Sequence, residues 1–158
     1  MAIFSDKNLY NAILEILDDY GFEYVKDDDT LSVTIKGNDI ENIKTLKLNN
    51  KEIKDITGLE KFTSLENLNL RNNYIKSISN LSTLNNLKVL DISHCLLNSI
   101  SGIYGMTSLV EANLYDNFIT DFDELRSITT LTKLNLGENN ENKKVALSNL
   151  DALSNLTN

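Results

Sequence analysis

The side chains best suited to chemistry lie in one short stretch, Asp91–Cys95, which contains the only histidine and the only cysteine of the 158-residue chain. A thiol beside an imidazole could form a nucleophilic dyad if both side chains lay within hydrogen-bond reach of each other. The leucine spacing described below predicts instead that Cys95 points into the core and His94 points outward. Asp91 and Ser93 share a face, but neither a deep pocket nor oxyanion donors are predicted around them. We therefore expect no catalytic residues.

The residue types also argue against metal and cofactor sites. One histidine and one cysteine are too few for a typical zinc site. The run Asp27–Asp29 could hold calcium weakly, but such a run between two strand-like segments is more typical of a solvated turn. A single cysteine also excludes an internal disulfide. The sequence therefore predicts neither a metal nor a cofactor.

A 22-residue repeat determines the architecture that must position these side chains, with units that start at residues 43, 65, 87, 109 and 131. Apolar residues recur at positions 1, 4, 6, 11, 14, 17 and 20 of the unit. A fixed period of this length is typical of a solenoid, in which each unit buries its apolar face against its neighbours. Positions 4 and 6 predict a short strand, and the later spacing of three predicts 3₁₀-like turns. We expect a right-handed α/β coil, with a parallel sheet on its concave side and helical turns on its convex side.

Position 9 of the unit is predicted to hold a buried side chain at a sharp turn. An amide both donates and accepts hydrogen bonds, so it can satisfy backbone groups in the turns above and below it. Asn73, Asn117 and Asn139 fit this structural ladder, and Cys95 takes the same slot as a small, weakly bonding thiol. Lys51 occupies the slot in the first unit, where we expect the ladder to end.

Two parts of the chain are predicted: an N-terminal cap over residues 1–42 and leucine-patterned repeats over residues 43–158. Ser5 or Asp6 can N-cap a helix whose apolar face would cover the first repeat, and Gly21 can end it. A hairpin is predicted around Asp27–Asp29. An irregular insertion near residues 140–144 interrupts the fifth repeat, and a sixth one only begins. Because that end has no polar cap, we expect either a fragment of a longer protein or another surface covering it, with self-association as one option.

Charge is distributed unevenly between the two parts. Residues 1–42 carry ten acidic and three basic side chains, and the repeats carry thirteen acidic and twelve basic ones. No clustered basic footprint is present, which argues against nucleic acid as a partner. No run approaches the roughly 18 apolar residues of a membrane span. The segment Met1–Asp6 also lacks the basic and apolar regions of a signal peptide.

The surface available to a partner follows from position parity. Positions 3, 5 and 7, with position 8 at their margin, are expected on the open concave face of the sheet. Position 10 is expected at the adjacent rim, where strands about 4.8 Å apart would align three apolar side chains into one stripe. Such a stripe could anchor a partner or only cover the edge of the core. The predicted partner-contacting residues are Tyr74, Leu96, Phe118, Tyr115, Arg71, Asp91, His94, Glu111, Asn113 and Lys133.

The repeat and its entrance share several motifs with one protein family. Isoleucine stands at positions 11 and 14, as in Ile53-Lys-Asp-Ile56, Phe4-Ser-Asp6 precedes the helix, and Ile56-Thr-Gly58-Leu59 closes the first turn. In these features the chain resembles the internalin type of leucine-rich repeat protein. It departs from that type where Gly58, Asn80, Gly102 and Glu124 replace the usual proline.

The resemblance implies a leucine-rich repeat fold and a non-catalytic module that binds a protein through its concave face. It favours a bacterial cell-surface or secreted adhesion protein. The same repeat class also occurs in intracellular scaffolds and regulators of type-1 phosphatase, and a role of that kind is the alternative.

Overall fold

The computed structural model describes residues 1–37 and 39–139 of the chain. Its N-terminal part contains β1 (Ala2–Ile3), α1 (Lys7–Tyr20), β2 (Tyr24–Asp27) and β3 (Ser32–Ile35). Strand β3 pairs antiparallel with both β1 and β2, so the three strands form a small sheet. The sequence pattern does not predict β1, because two residues are too few to show an alternation of apolar and polar side chains.

Helix α1 has capping residues at both ends. At its start, one carboxylate oxygen of Asp6 accepts the N–H groups of Asn8 and Leu9 at 2.8 and 3.0 Å. The other oxygen accepts the N–H of Lys54 in the first repeat at 2.8 Å, so the same side chain joins the cap to the solenoid. At its end, Gly21 adopts a left-handed conformation with φ of 69°, which glycine tolerates without steric cost. The buried residues of the helix are Leu9, Tyr10, Ala12, Ile13 and Leu17.

A parallel sheet of five three-residue strands follows the leucine spacing. The strands are β4 (Thr45–Lys47), β5 (Asn67–Asn69), β6 (Val89–Asp91), β7 (Glu111–Asn113) and β8 (Lys133–Asn135). They lie in chain order, and each pair is in register at a shift of one repeat, so that Leu46 stands opposite Leu68 and Leu68 opposite Leu90. The central residue of every strand therefore lies in one row along the solenoid.

Short 3₁₀ helices form the other side of each turn. One 3₁₀ helix, Asp39–Asn42, precedes β4. The others follow β4, β5, β6 and β7 in turn and are Leu59–Lys61, Ser79–Thr83, Ile103–Gly105 and Asp123–Ser127. The last four helices each bury one apolar side chain at position 17 of the repeat: Leu59, Leu81, Ile103 and Leu125. The predicted solenoid of parallel strands and 3₁₀ turns with a helical N-terminal cap is therefore confirmed.

One hydrophobic core fills the described part of the chain. It runs from Ala2 in the cap to Leu131 in the fifth repeat, and Ile43, Leu46 and Leu48 at the entrance to the repeats are fully buried. The predicted division of the chain at residue 42 stays a prediction. The predictions for the insertion near residues 140–144 and for the uncapped last repeat concern residues outside those that the structure describes.

The asparagines at position 9 each join two successive repeats. The Asn73 amide oxygen accepts the N–H groups of Lys51 and Ile53 at 3.1 and 3.0 Å. Its nitrogen donates to the carbonyls of Leu48 and Leu70 at 2.8 and 2.7 Å. Asn117 and Asn139 donate to two carbonyls in the same way, and each accepts one N–H group, that of Leu97 or that of Ile119. Each amide thus satisfies buried backbone groups of its own repeat and of the preceding one.

Cys95 occupies the same slot with fewer bonds. Its thiol is buried and donates to the Leu70 carbonyl, with a sulfur-to-oxygen distance of 3.4 Å. Burial raises the pKa of this thiol, while the N–H groups of Asn73 and Ile75, which point at the sulfur, act in the opposite direction. The thiol therefore accepts the N–H groups that an asparagine oxygen would accept. It makes only one of the two hydrogen bonds that an asparagine nitrogen would donate.

Candidate protein-binding surface

The concave face is organised by a local hydrogen bond that recurs along the sheet. The side chain at position 5 accepts the N–H of position 7 in four consecutive repeats, with acceptor oxygens on Asn69, Asp91, Asn113 and Asn135 at 3.0 to 3.3 Å. Short side chains that bond to the backbone two residues ahead are typical of Asx turns. The asparagine content of this face therefore has a structural cause, which the leucine spacing does not reveal.

Four of the predicted contact residues line one shallow depression on this face: Asp91, Glu111, Asn113 and Lys133. Within it, the Lys133 ammonium lies 2.7 Å from a carboxylate oxygen of Glu111. Both side chains remain partly exposed, so this ion pair contributes little to stability. The depression therefore presents a positive and a negative side chain, Lys133 and Glu111, and each orients the other before a partner binds.

A second group of predicted residues forms a polar cluster at the margin of the face. His94 Nδ1 lies 2.7 Å from Asp116, and its Nε2 lies 3.4 Å from the Arg71 guanidinium. The Asp116 carboxylate only accepts hydrogen bonds and the Arg71 guanidinium only donates them, so the two ring nitrogens face groups of opposite hydrogen-bonding character. The edge of the Tyr115 ring contacts His94 at a centroid distance of 5.3 Å. The margin cluster (Arg71, His94, Tyr115 and Asp116) therefore links three consecutive repeats.

Position 8 holds these side chains outward through an unusual backbone conformation. Its residues have positive φ, between 54° and 58°, in all five described repeats: Asn50, Asn72, His94, Asp116 and Glu138. Asparagine and aspartate adopt this left-handed region more readily than other L-residues do. The amides of Asn50 and Asn72 also bond to each other at 2.7 Å. The face thus ends in a row of polar side chains that neighbouring repeats orient.

The rim beside this row carries the apolar stripe. The side chains of Tyr74 and Phe118 are 49% and 37% exposed, and Leu96 between them is half-buried. A groove runs along the first part of the stripe, with a volume of about 600 Å³ and a lining of Lys54, Tyr74, Lys76 and Leu96. We call these four residues the rim groove. Its two lysines stand at position 12 of consecutive repeats, a position that the repeat pattern alone does not mark as part of a surface groove.

The chemically reactive residues are not arranged for catalysis. The Cys95 thiol bonds to a core carbonyl, whereas His94 bonds to Asp116 and Arg71 at the surface. Ser93, at position 7, was expected on the open face but is only 1% exposed. Its hydroxyl bonds to Asp91 at 2.7 Å, and the residues at position 7 of the adjacent repeats are larger than serine. Within the described ranges, no cluster of side chains suited to a metal ion is found. Those ranges also contain no helix of the length and apolarity needed to cross a membrane.

Comparison with known proteins agrees with this geometry. The family described as "Leucine Rich repeats (2 copies)" matches residues 41–83 and 63–105. The crystal structure of an internalin, InlF from Listeria monocytogenes, aligns with 98% of the chain at 32% identity and a TM-score of 0.80. The chain is an internalin-like leucine-rich repeat protein. The resemblance inferred from the repeat unit and its entrance is therefore confirmed.

Two further internalin structures from the same organism share the fold. Internalin C2 aligns with 75% of this internalin-like chain at 32% identity and a TM-score of 0.68. The functional domain of InlJ, described as including a cysteine ladder, aligns with 69% at 27% identity and a TM-score of 0.62. The search of curated protein sequences returned no match.

The relatives are longer than this internalin-like chain. It spans 41% of the InlF structure and 50% of the internalin C2 structure. Leucine-rich repeat proteins are in general protein-interaction modules, whose stacked repeats present extended surfaces. A partner-binding role is therefore the starting point for this chain.

Proposed function

We propose that this chain is a non-catalytic module that binds a protein partner through its concave face and the adjacent rim. The observation that carries this proposal is the exposure of Tyr74 and Phe118 on one rim, beside a face whose polar side chains are already held in place. Aromatic side chains supply much of the binding energy in protein interfaces. Polar groups that are oriented before binding lose less conformational entropy when a partner arrives.

The size of the surface supports participation of both regions. Five strands at about 4.8 Å spacing give a sheet only about 24 Å wide. A standard interface buries about 800 Å² on each partner. The depression around Glu111 and Lys133 offers too small a contact on its own, so the margin cluster and the rim complete the surface.

The similarity to internalins favours a bacterial cell-surface or secreted setting for this module. An intracellular scaffold or a regulatory subunit of an enzyme such as a phosphatase is the competing hypothesis. The identity of the captured partner decides between the two settings.

Affinity capture followed by mass spectrometry tests the proposal. One bait is the wild-type chain, and the second carries Tyr74→Glu and Phe118→Glu, which alter only exposed side chains. A matched control bait carries Val25→Glu and Tyr104→Glu, since those side chains are 60% and 56% exposed and lie away from the rim. We expect a protein that the wild-type and control baits retain and the rim variant loses. Equal recovery with all three folded baits would contradict a role for the rim.

A further inference from the structure

In the described repeats, the two lysines of the rim groove belong with Lys44, Lys47 and Lys61 to the lysines that form no ion pair. Lys51, Lys88 and Lys133 each lie 2.6 or 2.7 Å from a carboxylate of the same protein. Among the described residues, neither Lys54 nor Lys76 is found in an ion pair, although the chain has 23 acidic and 15 basic side chains. Both lysines are exposed, and they stand one repeat apart on the same rim. The lining of the groove therefore carries two positive charges and no acidic side chain, and the Asp6 carboxylate lies nearby, 2.8 Å from the backbone nitrogen of Lys54.

The apolar part of the groove lies against these charges. Tyr74 is half-exposed and Leu96 half-buried, and together with the two lysines they line the groove. An apolar side chain placed over Tyr74 and Leu96 would remove apolar surface from water. Lys54 and Lys76 hold the same position in consecutive repeats and line one groove, and their side chains are long and flexible, so one carboxylate can pair with both ammonium groups.

We propose that the rim groove binds an acidic segment of a partner protein. An apolar side chain of that segment covers Tyr74 and Leu96, and a neighbouring carboxylate pairs with Lys54 and Lys76. This inference rests on the proposed function and adds to it the charge and chemistry of the partner. Lysine contacts at an exposed site also make the interaction sensitive to ionic strength.

Selection from a phage-displayed library of short random peptides tests this inference without a known partner. The immobilised wild-type chain is compared with a variant carrying Lys54→Glu and Lys76→Glu. A control variant carries Lys44→Glu and Lys61→Glu, which make the same change in net charge at exposed positions outside the groove. Circular dichroism establishes that all three proteins are folded.

We expect the wild-type and control proteins to enrich peptides in which aspartate or glutamate flanks an apolar residue. A synthetic peptide from that selection should bind the groove variant roughly tenfold more weakly or worse, a change of about 1.4 kcal/mol. Its affinity for the wild-type chain should fall as salt is raised. The charge-reversed variant should instead enrich basic peptides.

Three outcomes would overturn the inference. The first is enrichment of peptides without acidic residues, and the second is an equal loss of binding in the control variant. The third is a selection that yields no peptide sensitive to the groove substitutions. If Tyr74→Glu with Phe118→Glu still abolishes capture of a partner in any of these cases, the protein-binding proposal stands and only the acidic character of the partner is refuted.

Discussion

Replacing Asn117 by alanine tests the physical role of the buried amide ladder. The amide oxygen accepts the N–H of Leu97 at 3.0 Å, and the nitrogen donates to the carbonyls of Ile92 and Leu114 at 2.9 and 3.1 Å. Asn117 itself is only 3% exposed. Water therefore has little access to these backbone groups once the amide is removed.

The magnitude of the loss follows from which groups keep a partner. The Leu114 carbonyl still accepts a bond from Asn139 at 2.8 Å. Within the described residues, the Leu97 N–H and the Ile92 carbonyl have no other partner. Leaving a buried polar group unpaired costs about 1–3 kcal/mol, so we expect the free energy of unfolding to fall by about 2–6 kcal/mol. This is a large part of the total stability of a domain, which is about 5–15 kcal/mol.

Urea denaturation followed by circular dichroism measures this change. Asn98→Ala is a matched control, because Asn98 is an exposed asparagine three residues beyond Cys95, and we expect it to change the free energy by less than about 0.5 kcal/mol. Asn73→Ala should cost more than Asn117→Ala, because it removes the partner of two N–H groups, those of Lys51 and Ile53. The slope of the denaturation curve must stay constant for these values to be compared.

The substitution Cys95→Asn offers a second check on the same reasoning. By analogy with Asn73 and Asn117, the introduced amide can donate to the Ile92 carbonyl, which Asn117→Ala leaves unpaired. The double variant should therefore recover part of the lost stability. A loss below about 0.5 kcal/mol for Asn117→Ala, or a loss as large for Asn98→Ala, would refute the assignment of stability to the ladder.

Three further predictions concern single sites. Cys95→Asn alone should raise the free energy of unfolding by about 0.5–1.5 kcal/mol, because it adds a buried hydrogen bond, whereas Cys95→Ala should lower it. Urea titration measures both changes. A lower free energy of unfolding for the asparagine variant would show that the slot is too small for an amide. Gly102→Ala should lower the free energy of unfolding by more than about 2 kcal/mol. The reason is that φ is +106° and that a Cβ at this position would meet the Ile78 carbonyl and lie 2.7 Å from Ser79 Cα. Gly21→Ala is the milder control, because a Cβ at Gly21 has nothing within 4 Å. Burial and the hydrogen bond to Asp28 raise the pKa of Tyr10 from 10.0 to about 12. In the unfolded chain this tyrosine ionises first, so stability should fall between those two pH values. Tyr10→Phe should make that fall smaller in thermal melts recorded across the range, and Tyr24, whose pKa is raised by its hydrogen bond to Asp18, contributes to the part that remains. An unchanged pH profile in the Tyr10→Phe variant would contradict the assignment.

The architecture could be predicted from the sequence because its main signal is periodic. The spacing of leucines defines the strand register, and Leu46, Leu68 and Leu90 stand in one row as that spacing requires. The buried asparagines follow from the same logic, since only a group that donates and accepts can serve two turns at once. Periodic burial is a property of residue type and position, which a single sequence contains.

The details of the surface could not be predicted in the same way. The outward geometry of His94 depends on a positive φ that histidine does not signal in a sequence. The depth at which Ser93 lies depends on its bond to Asp91 and on the size of its neighbours in other repeats. The grouping of Lys54 and Lys76 with Tyr74 and Leu96 around one groove depends on how consecutive repeats stack. Each of these features depends on contacts across repeats rather than on the order of residues within one repeat.

The amide ladder has a direction, and that direction has a consequence for how the chain is assembled. The oxygen of each ladder asparagine accepts N–H groups of the preceding repeat, at separations of 20 to 22 residues towards the N-terminus. During synthesis, the residues of that earlier repeat are made before the asparagine that bonds to them. A coil therefore keeps unpaired backbone N–H groups until the ladder asparagine of the next coil is in place, so assembly from the capped end leaves only the newest coil open. Loss of a coil would therefore unpair backbone N–H groups in the coil before it, whereas the coil after it would keep the acceptor that its own successor provides.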